Sequence, residues 1–569
     1  MHALICCFAL VAGAAEPFDQ WTAEKHGDAP LPDSVGARLS AADLKALENA
    51  GPTTPYTGLT CGIRLGDGTI WAGSPGGLLC LEAGAQETRK GDTPIFAARK
   101  SGQSPSRHWR LFHSRRWLPD DHVLQLAVAR DGSVWVKTKA GTTRLANRRW
   151  TLDEKMDAIH RALRRHHVRD GFCCEIALKE PGSVAAGYVQ PDSDNDGLWT
   201  AIYVAAEAFR YGATGDPQAR ANAWQSLQTL MLLEEITGIP GFAARSFVPI
   251  EIDKSRDRNW YRSADGKRWW KDDTSSDEVV GHFFAYFVYY LVAATDAEKE
   301  RIRPVVGRIA DHIIDHGYYY VGPTGRPTTW GVWAPEKLNR DVRRIPERCL
   351  NSLEVLSHLK VAEFITGNPR YRHAARELID KHGYAANTVW QKIEWPPSEI
   401  NHSDDELAFL SYYPLLWLER AADLRRLYLW SIERSWHYER PEQSPLWSLI
   451  YATALQAGEC PDPAKRPASG LVDGRRYDLD ACLGWFRLVP ADTVSWTIAN
   501  GKRRDLGTLG KNRFDKLDSR RVLPIDERLM LRWNADPYQL DGGDGGRTRG
   551  DGAFILLPYW LGRFHRLLD

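Results

Sequence analysis

From about residue 153 onward the chain alternates two kinds of helical segment joined by short turns. Segments near 197–212, 277–294, 349–366, 404–419, 444–457 and 552–567 are apolar nearly all round, and their partners near 153–166, 216–236, 298–316, 369–383, 422–438 and 477–488 are amphipathic. A helix that is hydrophobic on every side must be enclosed, whereas one with a single apolar stripe lies on a surface. The turns Ala213-Thr214-Gly215-Asp216-Pro217, Ala294-Thr295-Asp296-Ala297, Ile365-Thr366-Gly367-Asn368-Pro369 and Arg420-Ala421-Ala422-Asp423 each close one segment and open the next. Gly suits the left-handed residue after a helix, and Asp or Asn followed by Pro suits the next start. The pattern is a series of αα-hairpins. Six inner and six outer segments predict a mainly α fold, an (α/α)6 toroid over residues 151–569.

The remaining connections, about 167–196, 237–276, 317–348, 384–403 and 489–551, are long, and all of them enter inner helices. They are therefore expected on one rim, together with the partly positive helix N-termini. Ahead of the helices, residues 16–150 read as a small β-rich appendage. Two of its stretches echo each other, Gly62-Ile63-Arg64-Leu65-Gly66-Asp67-Gly68-Thr69-Ile70-Trp71 and Leu126-Ala127-Val128-Ala129-Arg130-Asp131-Gly132-Ser133-Val134-Trp135, each a strand, an Asp-Gly turn and a strand. They resemble blades of the two-component-regulator type of β-propeller. Two blades cannot close a propeller, so a packing role is expected.

Residues 1–15 form an apolar run ending in small residues and read as a secretory signal peptide, which implies a secreted or periplasmic protein. No later run is long enough for membrane insertion. With Lys+Arg 74 against Asp+Glu 73, no global field favours nucleic acid. Beyond the signal, the cysteines lack metal-ligand spacing; Cys61 with Cys80 and Cys460 with Cys482 are candidate bridges, against the alternative of isolated buried thiols. The 23 tryptophans read either as core or as sugar-stacking surfaces.

Two inner helices open on related runs, Thr274-Ser275-Ser276-Asp277-Glu278 and Asn401-His402-Ser403-Asp404-Asp405-Glu406. Their acids are either first-turn partners of the helix dipole or carboxylates facing a site. Before the first run, Asn259, Trp260, Tyr261, Arg262 and Trp270 belong to a stretch that interleaves basic and aromatic side chains, a composition that suits an acidic sugar. His282 follows Ser275 by seven residues and shares its helix face, as rim group or as core histidine. At the second run, Asn401 is a carboxylate donor or a cap, and His402 is placed for proton transfer. Trp330 and Arg340 join the candidate substrate contacts, with Asp277, Glu278 and Asp404. Asp192, Asp194 and Asp196 alternate as in the first half of a calcium loop, but Tyr203 stands where the closing Glu belongs, which leaves a looser calcium site or a capped helix start.

The segments Asp194–Thr200, Gly238–Ser246, Asp273–Glu278 and Asn401–Leu407 resemble polysaccharide lyase family 27, the L-rhamnose-α-1,4-D-glucuronate lyases, over roughly residues 50–569. That resemblance implies an acidic polysaccharide or oligosaccharide as partner and β-elimination as the reaction. The blade region departs from a full propeller, and the family's catalytic residues do not map onto these positions. Elimination needs the uronate carboxylate neutralised, a base for the C5 proton and an acid for the leaving oxygen. Arg262 and Asn401 are the expected neutralisers, His282 or His402 the base and Tyr261 the acid, or the base itself where a neighbouring cation lowers its pKa; no cofactor is required, and calcium bridging the carboxylate is the alternative. Two competing readings are a glycoside hydrolase working through Asp277, Glu278, Asp404, Asp405 and Glu406, and a non-catalytic glycan-binding protein.

Overall fold

The computed structural model describes residues 16–49, 53–82, 109–390, 399–456, 478–530 and 532–568. Among these, twelve long helices follow one another after the β-rich start: α1 Leu152–His166, α2 Asp196–Thr214, α3 Pro217–Glu235, α4 Ser276–Val292, α5 Asp296–Asp315, α6 Arg348–Thr366, α7 Pro369–His382, α8 Ser403–Leu418, α9 Ala422–Glu439, α10 Pro445–Gln456, α11 Leu479–Leu488 and α12 Ala553–Phe564. The even-numbered helices are enclosed. Each packs on the next even-numbered one, and α12 returns to α2, while each odd-numbered helix lies against an even-numbered neighbour. Their side chains make one continuous core that includes Leu152, Tyr286, Leu356, Tyr412 and Leu561. None of the described helices is long and apolar enough to cross a membrane.

The turns work as their residues dictate. Gly215 (φ +71°) and Gly367 (φ +72°) take the left-handed conformation after α2 and α6. Asp216 and Asn368 then cap α3 and α7 by accepting from the backbone N–H of Gln218 and Arg370, with Pro in the first turn. Thr295 and Glu298 form a capping box at α5. Before α9, which has no side-chain cap, the side chain of Glu419 orders the turn by accepting from the N–H groups of Arg420 and Ala421, both at 2.8 Å.

The N-terminal part contains two antiparallel sheets. One runs β1-β9-β8-β7 and the other β2-β3-β4-β5-β6, where β1 is Phe18–Lys25, β2 Ala37–Arg38, β3 Cys61–Arg64, β4 Ile70–Ser74, β5 Gly77–Leu81, β6 Arg110–Phe112, β7 Val123–Val128, β8 Val134–Thr138 and β9 Gly141–Trp150. The sequence echo is a structural one: Asp67 accepts from Thr69 N–H at 2.8 Å and Asp131 from Ser133 N–H at 2.9 Å, closing the β3–β4 and β7–β8 hairpins alike. Ile63, Trp71 and Leu78 of one sheet share a core with Val123, Val128 and Val136 of the other. Cys61 and Cys80 lie on strands separated by β4 and are free thiols, as is Cys482; Cys460 lies outside the described residues.

The sheets pack against the long connection that leads into α12. Arg110 pairs with Asp526 at 2.6 Å, Leu111 N–H donates to Glu527 at 3.3 Å, and Arg116 reaches Asp492 at 2.7 Å. Glu527 also holds Arg503 at 2.7 Å, and Gln20 donates to the carbonyls of Leu488 and Val489 at the end of α11. This contact fixes the backbone immediately before Arg528 and Arg532.

Candidate active site

At the acidic starts of α4 and α8, the cap positions are taken by Ser275 and His402, neither of which makes a side-chain cap bond. Asp277 and Asp404 are partly exposed, while Glu278 and Glu406 are buried one position or two further in. Asn401 donates to Asp404 at 2.6 Å and accepts from Ser403 Oγ at 2.9 Å, so it orders the mouth of α8.

A third buried acid comes from α6. Glu354 accepts from Trp333 Nε1 at 2.8 Å, and burial pushes its carboxyl well above the ordinary range. Burial does the same to Glu278, against the pull of Arg245. Glu406 is raised to about 8, again by burial first, with Arg532 opposing and Asp277 adding to the rise. The negative charge of Asp277 raises all three glutamates, and that of Asp404 also raises Glu354. Asp277 thus acts electrostatically on acids of α4, α6 and α8. Glu406, at about 8, keeps its proton at neutral pH, and burial favours the neutral form of Glu278 and Glu354 as well.

The proton on Glu406 has a consequence for stability. Its folded-state pKa of about 8 exceeds the ordinary 4.5, so the native state holds a proton that the unfolded chain releases between those values. Stability from this group is full below about pH 4 and falls as pH rises toward 8. Glu406→Gln removes the titration: its melting temperature should match the wild type near pH 4 and exceed it at about pH 8.5, in thermal melts across that range. Equal pH slopes in the two proteins would show that Glu406 does not carry the proton.

Cations reach the acids from two loops. Arg245 donates to the Asp273 carbonyl at 2.7 Å and lies 3.7 Å from Asp194. Arg532 pairs with Asp551 at 2.8 Å, and its guanidinium lies 4.2 Å from the centre of the Trp199 ring. An opening lined by Glu442, Ser444, Trp485, Arg528, Arg532 and Trp533 adjoins them.

His402 sits beside this opening among carboxylates. Its Nδ1 is 3.6 Å from Asp405 and 3.4 Å from Glu442, and its Nε2 is 3.4 Å from Asp536. Asn512 donates to both Asp536 and Asp518 at 3.0 Å, and burial together with Asp536 raises Asp518 to about 7.

The other sequence candidates are placed differently. His282 is only 1% exposed; its Nδ1 lies 3.3 Å from the Tyr286 hydroxyl, and burial lowers it to about 4. It is a core histidine, because helical spacing reports a face and not a depth. Tyr261 and Arg262 belong to a small sheet of Phe247–Pro249, Trp260–Arg262 and Arg268–Lys271, in which Tyr261 stacks on Trp270 and Arg262 lies exposed over Trp269. Trp260 receives Lys254 and Lys271 on its ring, and Asn259 turns the chain at φ +65°. Arg340 is exposed, and Trp330, at 49% exposure, carries Arg344 over its ring. Most described tryptophans are core, Trp333 and Trp447 among the most deeply buried.

The calcium expectation for Asp192, Asp194 and Asp196 does not match their partners. Asp192 pairs with Lys254, Asp194 with Lys271, and Asp196 with Arg169 and Ser246, the last two both at 2.5 Å. Each carboxylate already faces a protein cation, so the three do not form one ligand set.

Nothing in the sequence singles out Arg532, Glu442 or Asp536, which lie in segments with no periodicity. Glu354 does carry a usable signal, an acid inside an otherwise apolar stretch of helix.

No protein-family model and no curated protein matches the chain. Among solved structures, a UGL variant with dGlcA-Glc-Rha-Glc shares 12% identity at TM-score 0.36, covering 73% of this chain and 97% of its own. An unsaturated glucuronyl hydrolase from Streptococcus agalactiae shares 12% at TM-score 0.33 and a mutant of it 11% at 0.34, each covering 73% of this chain and 92% of its own. Similarity this distant leaves the chemistry to be argued from the residues of the chain itself.

Proposed function

We propose that the protein is a carbohydrate-active enzyme on an (α/α)6 toroid that hydrolyses uronate-containing glycans by acid–base catalysis. The observation that carries this reading is that Asp277, partly exposed at the start of α4, acts electrostatically on three buried glutamates from α4, α6 and α8 whose neutral forms burial favours. Asp277 and Asp404 are the partly exposed carboxylates and act on substrate, while burial favours the protonated forms of Glu354 and Glu406. Paired acids in contrasting environments are what glycosidic hydrolysis requires. Arg532, which lines the adjoining opening, supplies a cation that suits an anionic sugar.

The same Arg532 favours a second reading, elimination of the rhamnose–glucuronate type, in which it neutralises the uronate carboxylate and His402 removes the proton. Products separate the two. Gum arabic, pectic, alginate and glycosaminoglycan substrates are incubated with the protein while reducing ends and the ultraviolet absorbance of a conjugated uronate are followed. Hydrolysis yields reducing ends without new absorbance. Absorbance rising in step with chain ends would replace it by elimination, and retention of glycan without any product would leave a binding protein.

A further inference from the structure

His402, Asp405 and Glu442 offer ligand atoms that all lie within 4.8 Å of one another. We infer that this trio is a binding site for one divalent first-row transition ion of the zinc or manganese class, distinct from the Asp277 cluster and from the acidic loop at Asp192.

The separations match an ion better than a proton. Hydrogen bonds from ring nitrogen to carboxylate run at about 2.7–3.2 Å, whereas His402 Nδ1 stands 3.6 Å from Asp405 Oδ2 and 3.4 Å from Glu442 Oε1. Two atoms bound at about 2.0–2.2 Å to one metal at tetrahedral angles lie roughly 3.4 Å apart. The residues come from separate elements: His402 and Asp405 from the start of α8, Glu442 from the turn before α10.

The groups behind the ligands supply an independent observation. Glu442 Oε2 accepts from Trp447 Nε1 at 2.9 Å, which turns Oε1 toward His402. Asp536 Oδ1 lies 3.4 Å from His402 Nε2, while Asn512 holds its other oxygen at 3.0 Å. At that separation Asp536 is a charge contact on the far side of the ring, so His402 lies between carboxylates on both sides and their combined negative charge favours a cation at the trio. Glu442 also lines the small opening beside Arg528 and Arg532. One imidazole among carboxylates selects borderline ions over calcium.

The test uses the whole protein, treated with chelator and dialysed, then titrated separately with Zn²⁺, Mn²⁺ and Ca²⁺ by calorimetry and thermal melting. One equivalent of Zn²⁺ or Mn²⁺ is expected to bind and raise the melting temperature. Asp405→Asn and Glu442→Gln should abolish binding; Asp536→Asn, which leaves the trio intact, should weaken it about 10–100-fold; Asp192→Asn should bind like the wild type. Absence of binding to wild type, binding of Ca²⁺ alone, unchanged affinity in Asp405→Asn and Glu442→Gln, or loss of binding in Asp192→Asn would each overturn the assignment. If the ligand variants fail to fold, metal analysis of reloaded wild type decides it: about one retained ion supports the site and none rejects it. These measurements do not involve turnover, so they stand or fall separately from the hydrolytic reading.

Discussion

Asp277→Asn should lower kcat by about 10²–10⁴-fold, the range lost with a general acid or base, on whichever glycan the wild type cleaves. The substitution keeps size and shape, so circular dichroism and thermal melting should be close to wild type. It should also leave a second mark. The charge of Asp277 is among the influences that raise Glu278, Glu354 and Glu406, and its removal should move the alkaline limb of the pH–rate profile to lower pH. A variant with wild-type kcat would take Asp277 out of the mechanism, and reduced kcat with an unshifted profile would separate it from the buried acids.

Arg532→Ala should cost about 3–5 kcal/mol of stability, because it leaves a buried partner charge uncompensated. Asp551 is that partner. Burial pushes its carboxyl up, but Arg532 and then His167 hold it below the ordinary range. Without the guanidinium, Asp551 must take up a proton or remain charged in a buried place. Urea unfolding of Arg532→Ala, Asp551→Asn and the double variant measures the coupling. The double variant should recover part of the loss; strictly additive effects would show that the pair is not a unit.

Helix boundaries are legible in the sequence because the turns carry their own chemistry. Gly215-Asp216-Pro217 and Gly367-Asn368-Pro369 can each do little except end one helix and start another. The paired β-hairpins are legible for the same reason, through Asp67 and Asp131. Of the site, Asp277, Glu278, Asp404 and Glu406 can be read as acids at helix starts, and Asp277 acts electrostatically on both glutamates. Depth cannot be read, so helical spacing credits His282 with an access it lacks. Nor can the partners of Tyr261 and Arg262, since an alternating basic and aromatic run serves a self-stacked sheet as well as a sugar. Arg532 is invisible because its position depends on a connection with no repeat, held by distant sheets.

That dependence sets a limit on how such a chain can be divided. Asp526 and Glu527 are gripped by Arg110 and Leu111, and Arg528 and Arg532 follow within the same stretch. Cutting the polypeptide at residue 150 would therefore release the arginines from their register even though α1 to α12 all remained. The N-terminal sheets act as a jig for chemistry carried out elsewhere, and any recombination that exchanged them alone would have to re-establish two arginine positions at once.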